Sequence, residues 1–157
     1  MTNWQGTSVP DPEASSAPAE TIVVDASALV DLLVGTDLAA AVRTRLAGTV
    51  WRAPAHLDAE VLSALGRLSR AGHLTDAEVD QRLALLGSLP LSRHQLPGLL
   101  AGAWTRRADL RLVDALYVEL AAQLQAPLVT TDQRLARATP LAEAITAGPV
   151  DRHARPS

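Results

Sequence analysis

Four acidic residues occupy positions from which their carboxylates could act together: Asp25, Glu60, Asp114 and Asp132. Asp25 ends a short β-branched run and Asp132 follows a similar one, so each acid lies at the carboxyl end of a predicted strand. Ligand sites of open α/β sheets form beyond these strand ends. Asp114 opens an apolar helical stretch, and Glu60 borders the apolar stripe of another. Carboxylates gathered at one point would repel one another unless a cation neutralised them. Mg²⁺ and Mn²⁺ prefer such all-oxygen ligand sets.

The same acids have a purely structural alternative. Asp25, Asp114 and Asp132 each precede or begin a predicted helix, where an acid is the usual N-cap or first-turn residue. Asp58 lies at least as close as Glu60 to the apolar stripe of its helix. The residues by themselves leave both interpretations open, a shared site and a set of separate helix caps.

The composition narrows the chemistry that the chain could perform. The 157 residues include no Cys and no Lys, so all 14 basic residues are Arg. Thiolate metal sites, a P-loop lysine, Schiff-base chemistry and the lysine of a phosphoacceptor receiver domain are therefore excluded. The net charge of -3 argues against a simple polybasic nucleic-acid binder. The groups that remain available for chemistry are carboxylates, the four His, hydroxyls, Arg and a hard metal ion.

Alternating strand and helix patterns indicate the elements that position the acids. Strands are predicted at 21–25, 49–52, 91–96 and 127–131. Helices are predicted at 28–34, 37–46 (capped by Thr36), 56–71, 75–86 (with a Thr75/Glu78 capping box), 98–108, 113–125 and 132–138. Ala and Leu, which favour helices, exceed a third of the residues. This order predicts βαβ units, a parallel sheet and a compact α/β sandwich.

Four segments, in order, resemble the PIN-domain nucleases, and most closely the VapC-type toxins of bacterial toxin–antitoxin pairs. They are 22–30 (IVVDASALV), 53–65 (APAHLDAEVLSAL), 113–121 (VDALYVELA) and 128–136 (LVTTDQRLA). The similarity spans residues 21 to about 138. By this resemblance the acidic quartet of the family falls on Asp25, Glu60, Asp114 and Asp132. The small hydroxyl after the first acid falls on Ser27, and the Thr-x-Asp pattern falls on Thr130 and Asp132.

The resemblance implies a PIN-like three-layer sandwich, with a short central parallel sheet flanked by helices. It also implies a Mg²⁺-dependent (Mn²⁺ is possible) endoribonuclease toxin that cleaves tRNA or ribosomal RNA, leaving 5′-phosphate and 3′-hydroxyl ends. Asp25, Asp114 and Glu60 would be the principal metal ligands and Asp132 would complete the site. Ser27 and Thr130 would support the ligands or contact phosphate. Arg134, two residues after Asp132, is the best candidate for a phosphate contact.

Partners and boundaries complete the expectations. The resemblance implies a homodimer and a groove for the C-terminal segment of a cognate antitoxin, often with an Arg that reaches the acids. Two alternatives stay open: a housekeeping PIN-type RNA-processing nuclease, and a catalytically inactive RNA- or protein-binding module.

We expect a flexible leader at 1–20, the nuclease domain at 21–150 and a disordered tail at 151–157. With no secretory signal and no membrane-spanning run, a cytoplasmic location is expected.

Overall fold

The structure, a computed structural model, describes residues 17–147. Most of the predicted leader and the whole of the predicted tail lie outside the described residues. Within the described range, residues 17–20 belong to no helix or strand. Glu20 nevertheless contacts the folded domain: its carbonyl accepts from the Val50 amide and its carboxylate pairs with Arg45.

β-Branched and aliphatic runs form a five-stranded sheet in which every neighbouring pair is parallel, in the order β3-β2-β1-β4-β5. The strands are β1 (Thr21–Val24), β2 (Val50–Pro54), β3 (Leu91–His94), β4 (Leu128–Thr130) and β5 (Ala142–Ala144). The all-parallel arrangement follows from the helical crossovers between consecutive strands. From β1 the chain adds β2 and β3 on one side of the sheet, and later adds β4 and β5 on the other side. The gap between the carboxyl ends of β1 and β4 is therefore a topological switch point, the preferred ligand position in such sheets.

Seven helices connect and flank the strands among the described residues. They are α1 (Ala26–Val34), α2 (Ala39–Leu46), α3 (Leu57–Arg70), α4 (Asp76–Ser88), α5 (Leu100–Thr105), α6 (Leu112–Leu124) and α7 (Gln133–Ala138), with a 3₁₀ turn at Leu96–Gly98 before α5. This confirms the predicted α/β sandwich with a central parallel sheet. Within residues 17–147, no helix has the length and apolar character needed to span a bilayer.

Helix α6 forms the centre of the core. It packs against β1, β2 and β4, and most of its residues are buried. The fully buried side chains of β1 and β4 meet it. Its apolar character on nearly all sides is typical of a helix enclosed by other elements. Asp114, in the first turn of α6, is thereby held beside the ends of β1 and β4.

Some predicted boundaries were wrong. Thr36 does not cap α2, which begins at Ala39 after Leu38; the Thr36 hydroxyl donates instead to Asp31. The predicted helix at 98–108 is shorter: α5 covers Leu100–Thr105 and follows a 3₁₀ turn at Leu96–Gly98 that contains Pro97. The edge strand β5 was missed, since three residues carry too little alternation to be recognised. The predicted end of the helix at 28–34 is confirmed, because Gly35 adopts φ +80° and ends α1 at Val34.

The capping box of α4 provides the first testable prediction. The Thr75 hydroxyl accepts from the Glu78 amide at 3.3 Å, and the Glu78 carboxylate accepts from the Thr75 amide at 2.8 Å. We expect Thr75→Ala to lower the free energy of unfolding by about 1 kcal/mol, measured by urea denaturation. Thr44→Ala, on the exposed face of α2, is the control and should leave stability unchanged or raise it slightly. Equal stability of the two variants would contradict the role of the cap.

Candidate active site

A cleft at the carboxyl ends of β1 and β4 is lined by all four acids singled out in the sequence. The cleft holds a cavity of about 360 Å³. Asp25 follows β1, Asp132 follows β4, Asp114 comes from α6 and Glu60 from α3. Asp31, Arg67 and Arg111 also line it. Residues that are far apart in sequence therefore meet at the switch point, with five carboxylates facing two guanidinium groups.

Asp25 is held by two hydroxyl groups. The Ser27 hydroxyl donates to Asp25 Oδ2 at 2.5 Å and the Thr130 hydroxyl donates to the same oxygen at 2.8 Å. Each hydroxyl in turn accepts from the backbone, Ser27 from the Thr131 amide and Thr130 from the Asp132 amide. Because an ionised carboxylate can only accept hydrogen bonds, both hydroxyl protons are directed at Asp25. The turn after β4 thus fixes the orientation of the carboxylate that follows β1.

Ionisation of Asp25 is energetically unfavourable in this position. The side chain is almost fully buried, with the residue 6% exposed. Burial raises the pKa of Asp25, the two hydroxyl hydrogen bonds oppose the rise, and repulsion from Glu60 and Asp114 adds to it. A cation near these groups would favour their ionised forms, so the electrostatics of the cleft favour binding of positive charge.

Glu60 is held by the aromatic side chains next to it. The Tyr117 hydroxyl donates to Glu60 Oε2 at 2.5 Å, and His56 Nε2 lies 3.3 Å from the same oxygen. The two rings pack with their centroids 4.8 Å apart. Burial raises the pKa of Tyr117, and the nearby charges of Asp25 and Glu60 raise it further. The phenol therefore stays a hydrogen-bond donor over the working pH range.

Asp114 and Asp132 lie beside two arginines. Asp114, only 5% exposed, accepts through Oδ2 from Arg111 Nε at 2.9 Å and from Arg134 Nη2 at 2.8 Å. Arg134 Nη2 also lies 3.1 Å from Asp132 Oδ2. Both guanidinium groups are largely exposed to solvent. Arg134, expected to contact phosphate, is thus an ion-pair partner of two site acids in this structure.

The structural alternative, an N-cap or first-turn acid, holds for Asp132 and for Asp114, which lies in the first turn of α6. Asp132 caps α7 and accepts from the Arg134 and Leu135 amides at 2.8 and 3.2 Å. Burial opposes ionisation of Asp132, but these amides and the Arg134 charge outweigh it and lower its pKa. Asp25 has the N-cap position of α1 without any side-chain capping bond, and Asp114 follows the N-cap Arg111. Asp25 therefore lines the cleft without a capping bond, whereas Asp114 lines the cleft and is also an acid of the first turn of α6.

The donor set suits a hard divalent cation. Among residues 17–147, no three acidic or imidazole side chains converge closely enough to chelate an ion in the arrangement described. Asp25, Asp114 and Glu60, however, each make their protein contacts through one oxygen. The second oxygen of each accepts no hydrogen bond from the described part of the chain. Unshared carboxylate oxygens around a polar cavity with room for water fit Mg²⁺ or Mn²⁺, which retain part of their hydration.

Sequence reasoning missed four residues that line or support the cleft. Tyr117 lies one turn after Asp114 on the same face of α6, and this spacing was the available signal. Asp31 lies on α1 after Asp25, and Arg111 precedes α6. Arg67 lies in the last turn of α3. Nothing in the local sequence distinguishes Arg67 or Arg111 from other exposed arginines, because tertiary packing alone brings them to the cavity.

The Tyr117–Glu60 hydrogen bond provides a second prediction. Tyr117→Phe removes the donor while keeping the buried ring, so Glu60 loses the contact that fixes Oε2. If Glu60 binds the cation, as the family resemblance implies, the apparent affinity for Mn²⁺ should fall about 10-fold, as for other groups that orient metal ligands. Mn²⁺ titration monitored by electron paramagnetic resonance measures this directly. Val118→Ala, a neighbouring change in the core, controls for general loosening of α6; an equal loss of Mn²⁺ affinity there would contradict a specific role for the hydroxyl.

Comparison with known proteins identifies the family. The PIN domain model matches residues 22–140. Over 131 residues the chain is 62% identical to Ribonuclease VapC3 of Mycobacterium tuberculosis, covering 83% of this chain and 96% of that protein. It is 39% identical to Ribonuclease VapC12 of the same organism over 116 residues, or 74% of this chain and 90% of that protein.

Two solved structures share the fold. The first is PAE2754 from Pyrobaculum aerophilum, with a TM-score of 0.61, 24% identity and coverage of 88% of this chain and 93% of that one. The second is a toxin–antitoxin complex from Klebsiella pneumoniae, with a TM-score of 0.58, 17% identity and coverage of 80% and 98%. Fold, order of motifs and sequence identity agree, and the chain belongs to the PIN-domain family, among its VapC-type ribonucleases.

Proposed function

We propose that this protein is a divalent-metal-dependent endoribonuclease that acts as the toxin of a toxin–antitoxin pair. The observation that carries the proposal is the acidic cleft between β1 and β4, in which Asp25, Glu60, Asp114 and Asp132 line one cavity. High sequence identity to proteins named as VapC ribonucleases supports RNA as the substrate and a toxin role.

The proposed mechanism assigns a task to each side chain. Asp25, Asp114 and Glu60 would hold Mg²⁺ or Mn²⁺ through their unshared oxygens, and Asp132 would complete the site. When bound, such an ion lowers the pKa of a coordinated water and stabilises charge on a phosphodiester undergoing displacement. The hydroxyls of Ser27 and Thr130 keep Asp25 in one orientation.

Arginines at the rim of the cleft provide the complementary charge for the substrate. Arg134 and Arg111 are exposed, and each already contacts a site acid. A guanidinium can bind a phosphate in bidentate fashion. We propose that neutralisation of Asp114 by a bound cation leaves Arg134 able to contact an RNA phosphate. The local arginines explain how a chain with a net charge of -3 can bind RNA.

Cleavage of RNA under controlled metal conditions tests this function. The purified protein, incubated with total RNA and Mg²⁺ or Mn²⁺, should generate discrete fragments with 5′-phosphate and 3′-hydroxyl ends. Excess EDTA should stop the reaction, and renewed addition of the cation should restore it. Sequencing of the fragment ends would show whether tRNA or ribosomal RNA is the target. Cleavage that persists unchanged in EDTA would contradict the metal-dependent mechanism.

The proposed partners are a cognate antitoxin and a second copy of the chain, in the cytoplasm. Expression of this protein alone should arrest growth, and coexpression of the adjacent small gene should relieve the arrest; a housekeeping nuclease would show neither effect.

Large apolar side chains on α5 and α6, including Leu100, Trp104 and Leu112, are exposed around a cavity of about 280 Å³ and support a homodimer. Trp104→Glu should convert the dimer to a monomer in light scattering.

A further inference from the structure

We propose that Arg67 and the pocket beside it form a binding site for one nucleotide of single-stranded RNA next to the scissile phosphate. This inference rests on the proposed function, since it assigns the substrate a position relative to the acidic cleft. Arg67 would contact the phosphate of that nucleotide, and the pocket would accept its base.

The first observation is the position of Arg67. Arg67 lines the acidic cavity and also lines a second, open pocket of about 310 Å³ that adjoins this cavity. Glu60 is the other residue common to both. Arg67 therefore lies at the boundary between the cleft in which cleavage is proposed and a neighbouring space on the same surface.

The second observation is the charge of Arg67. Arg111 and Arg134 are paired with Asp114, whereas the exposed Arg67 side chain makes no hydrogen bond or ion pair within residues 17–147. An arginine that faces a carboxylate-rich cavity without an acid partner has its donors available to an incoming anion. The polymer that must approach this cavity carries a phosphate at every nucleotide, and guanidinium donors match phosphate oxygens.

The third observation is the character of the pocket. Its lining consists of His56, Ala59, Glu60, Ser63, Arg67 and Val113. Ala59 and the exposed side chain of Val113 provide apolar surface, while Ser63 and Glu60 provide polar groups at the edge. Unstacked bases of single-stranded RNA are recognised by stacking on aromatic rings or on Arg guanidinium planes, together with hydrogen bonds to their edges, and this lining includes His56 and Arg67. A basic residue beside an apolar pocket matches the phosphate and the base of one nucleotide, and the acidic cleft that adjoins the pocket is the proposed site of RNA cleavage.

Two probes separate the phosphate contact from the base contact. The first is a fluorescent octanucleotide of uridine, and the second is a ribose-phosphate octamer of the same length without bases. Their binding is measured by fluorescence anisotropy in EDTA, so no cleavage is required. Arg67→Ala should weaken binding of both probes about 10-fold. It should also lower the slope of log affinity against log salt by about 0.7, the amount expected for one phosphate on a single strand.

Matched controls come from the same helix. Arg70 also lies in the last turn of α3, exposed and without an ion pair among the described residues, but it lines neither pocket. Arg70→Ala should leave both affinity and salt slope close to wild type. Ser63→Trp, which fills the pocket, should weaken binding of the uridine probe and not of the abasic one, whereas Leu62→Trp on the exposed face of α3 should change neither.

The outcomes are distinct from those of the cleavage assay. Equal binding by the Arg67→Ala and Arg70→Ala variants would overturn the proposed phosphate contact even if metal-dependent cleavage is found. Equal loss for both probes in Ser63→Trp would overturn the base pocket. If Arg67→Ala weakened only the complex with the coexpressed antitoxin, the surface would be a protein interface and the nucleotide assignment would be wrong.

Discussion

Asp25→Asn is expected to abolish RNA cleavage and at the same time to make the metal-free protein more stable. The loss of activity follows because the variant lacks the buried charge that would help to hold the cation. We expect the rate of cleavage to fall by at least about 10³-fold, which corresponds to the several kcal/mol that metal-ion catalysis contributes. The stability gain follows because Asn can still accept from Ser27 and Thr130 without an ionised group in a buried, acid-rich position. We expect about 1 kcal/mol, or about 2–4 °C in melting temperature.

The pH dependence of this gain has a defined sign. Burial raises the pKa of Asp25, so the folded state binds its proton more tightly than the unfolded state does. At low pH the carboxyl is neutral and the two proteins should have similar stability. As pH rises through the raised pKa of Asp25, the wild type loses stability relative to the Asn variant. Thermal denaturation in EDTA across pH measures this difference.

Two further measurements sharpen the test. Mg²⁺ should raise the melting temperature of the wild type more than that of Asp25→Asn, because the ion stabilises the state that binds it. Asp37→Asn, in the exposed loop before α2, is the control and should keep both cleavage and stability. A destabilised Asp25→Asn variant with intact cleavage would contradict the assignment of Asp25 to the site.

Asp114→Asn should separate catalysis from RNA binding. We expect cleavage to fall by at least about 10³-fold, since a proposed ligand of the cation is lost. Binding of an RNA oligonucleotide in EDTA should instead strengthen. Asp114 Oδ2 engages both Arg111 and Arg134 in the wild type, and removal of its charge leaves these two exposed guanidinium groups with weaker partners. Their positive charge then becomes available to phosphates.

The opposite signs of the two effects make this prediction specific. A variant that failed to fold would lose cleavage and binding together, whereas the expected variant loses one and gains the other. Asp109→Asn removes an exposed acid just before α6 and serves as the matched control for charge. Equal strengthening of RNA binding by Asp109→Asn would show that net charge, and not the release of Arg111 and Arg134, is responsible.

The sequence was informative where local pattern and chemistry coincide. The short β-branched runs that end at Asp25 and precede Asp132 predicted both the strands and the edge at which their acids meet, because parallel strands place their carboxyl ends together. The Thr75/Glu78 box predicted the start of α4 for an equally local reason. The choice of Glu60 over Asp58 came from family resemblance; in the structure Asp58 pairs with Arg93, while Glu60 lines the cleft.

Contacts between distant residues could not be predicted in this way. The hydroxyls of Ser27 and Thr130 share one oxygen of Asp25 although 103 positions separate them. The pairing of Arg134 with Asp114 joins side chains of α7 and α6 that lie 20 positions apart. The position of Arg67 between two pockets depends on the packing of α3. Each is a consequence of tertiary geometry, which neither residue type nor periodicity encodes at the position concerned.

Tyr117 is the chain's single tyrosine, and its hydroxyl donates to Glu60. Biosynthetic replacement of tyrosine by 3-fluorotyrosine would therefore place one fluorine nucleus in the protein, on the ring that contacts this carboxylate. Its NMR signal would need no assignment and would report on the proposed ion binding at Glu60 separately from catalysis. The protein thus contains a built-in position for a spectroscopic probe of its proposed active site.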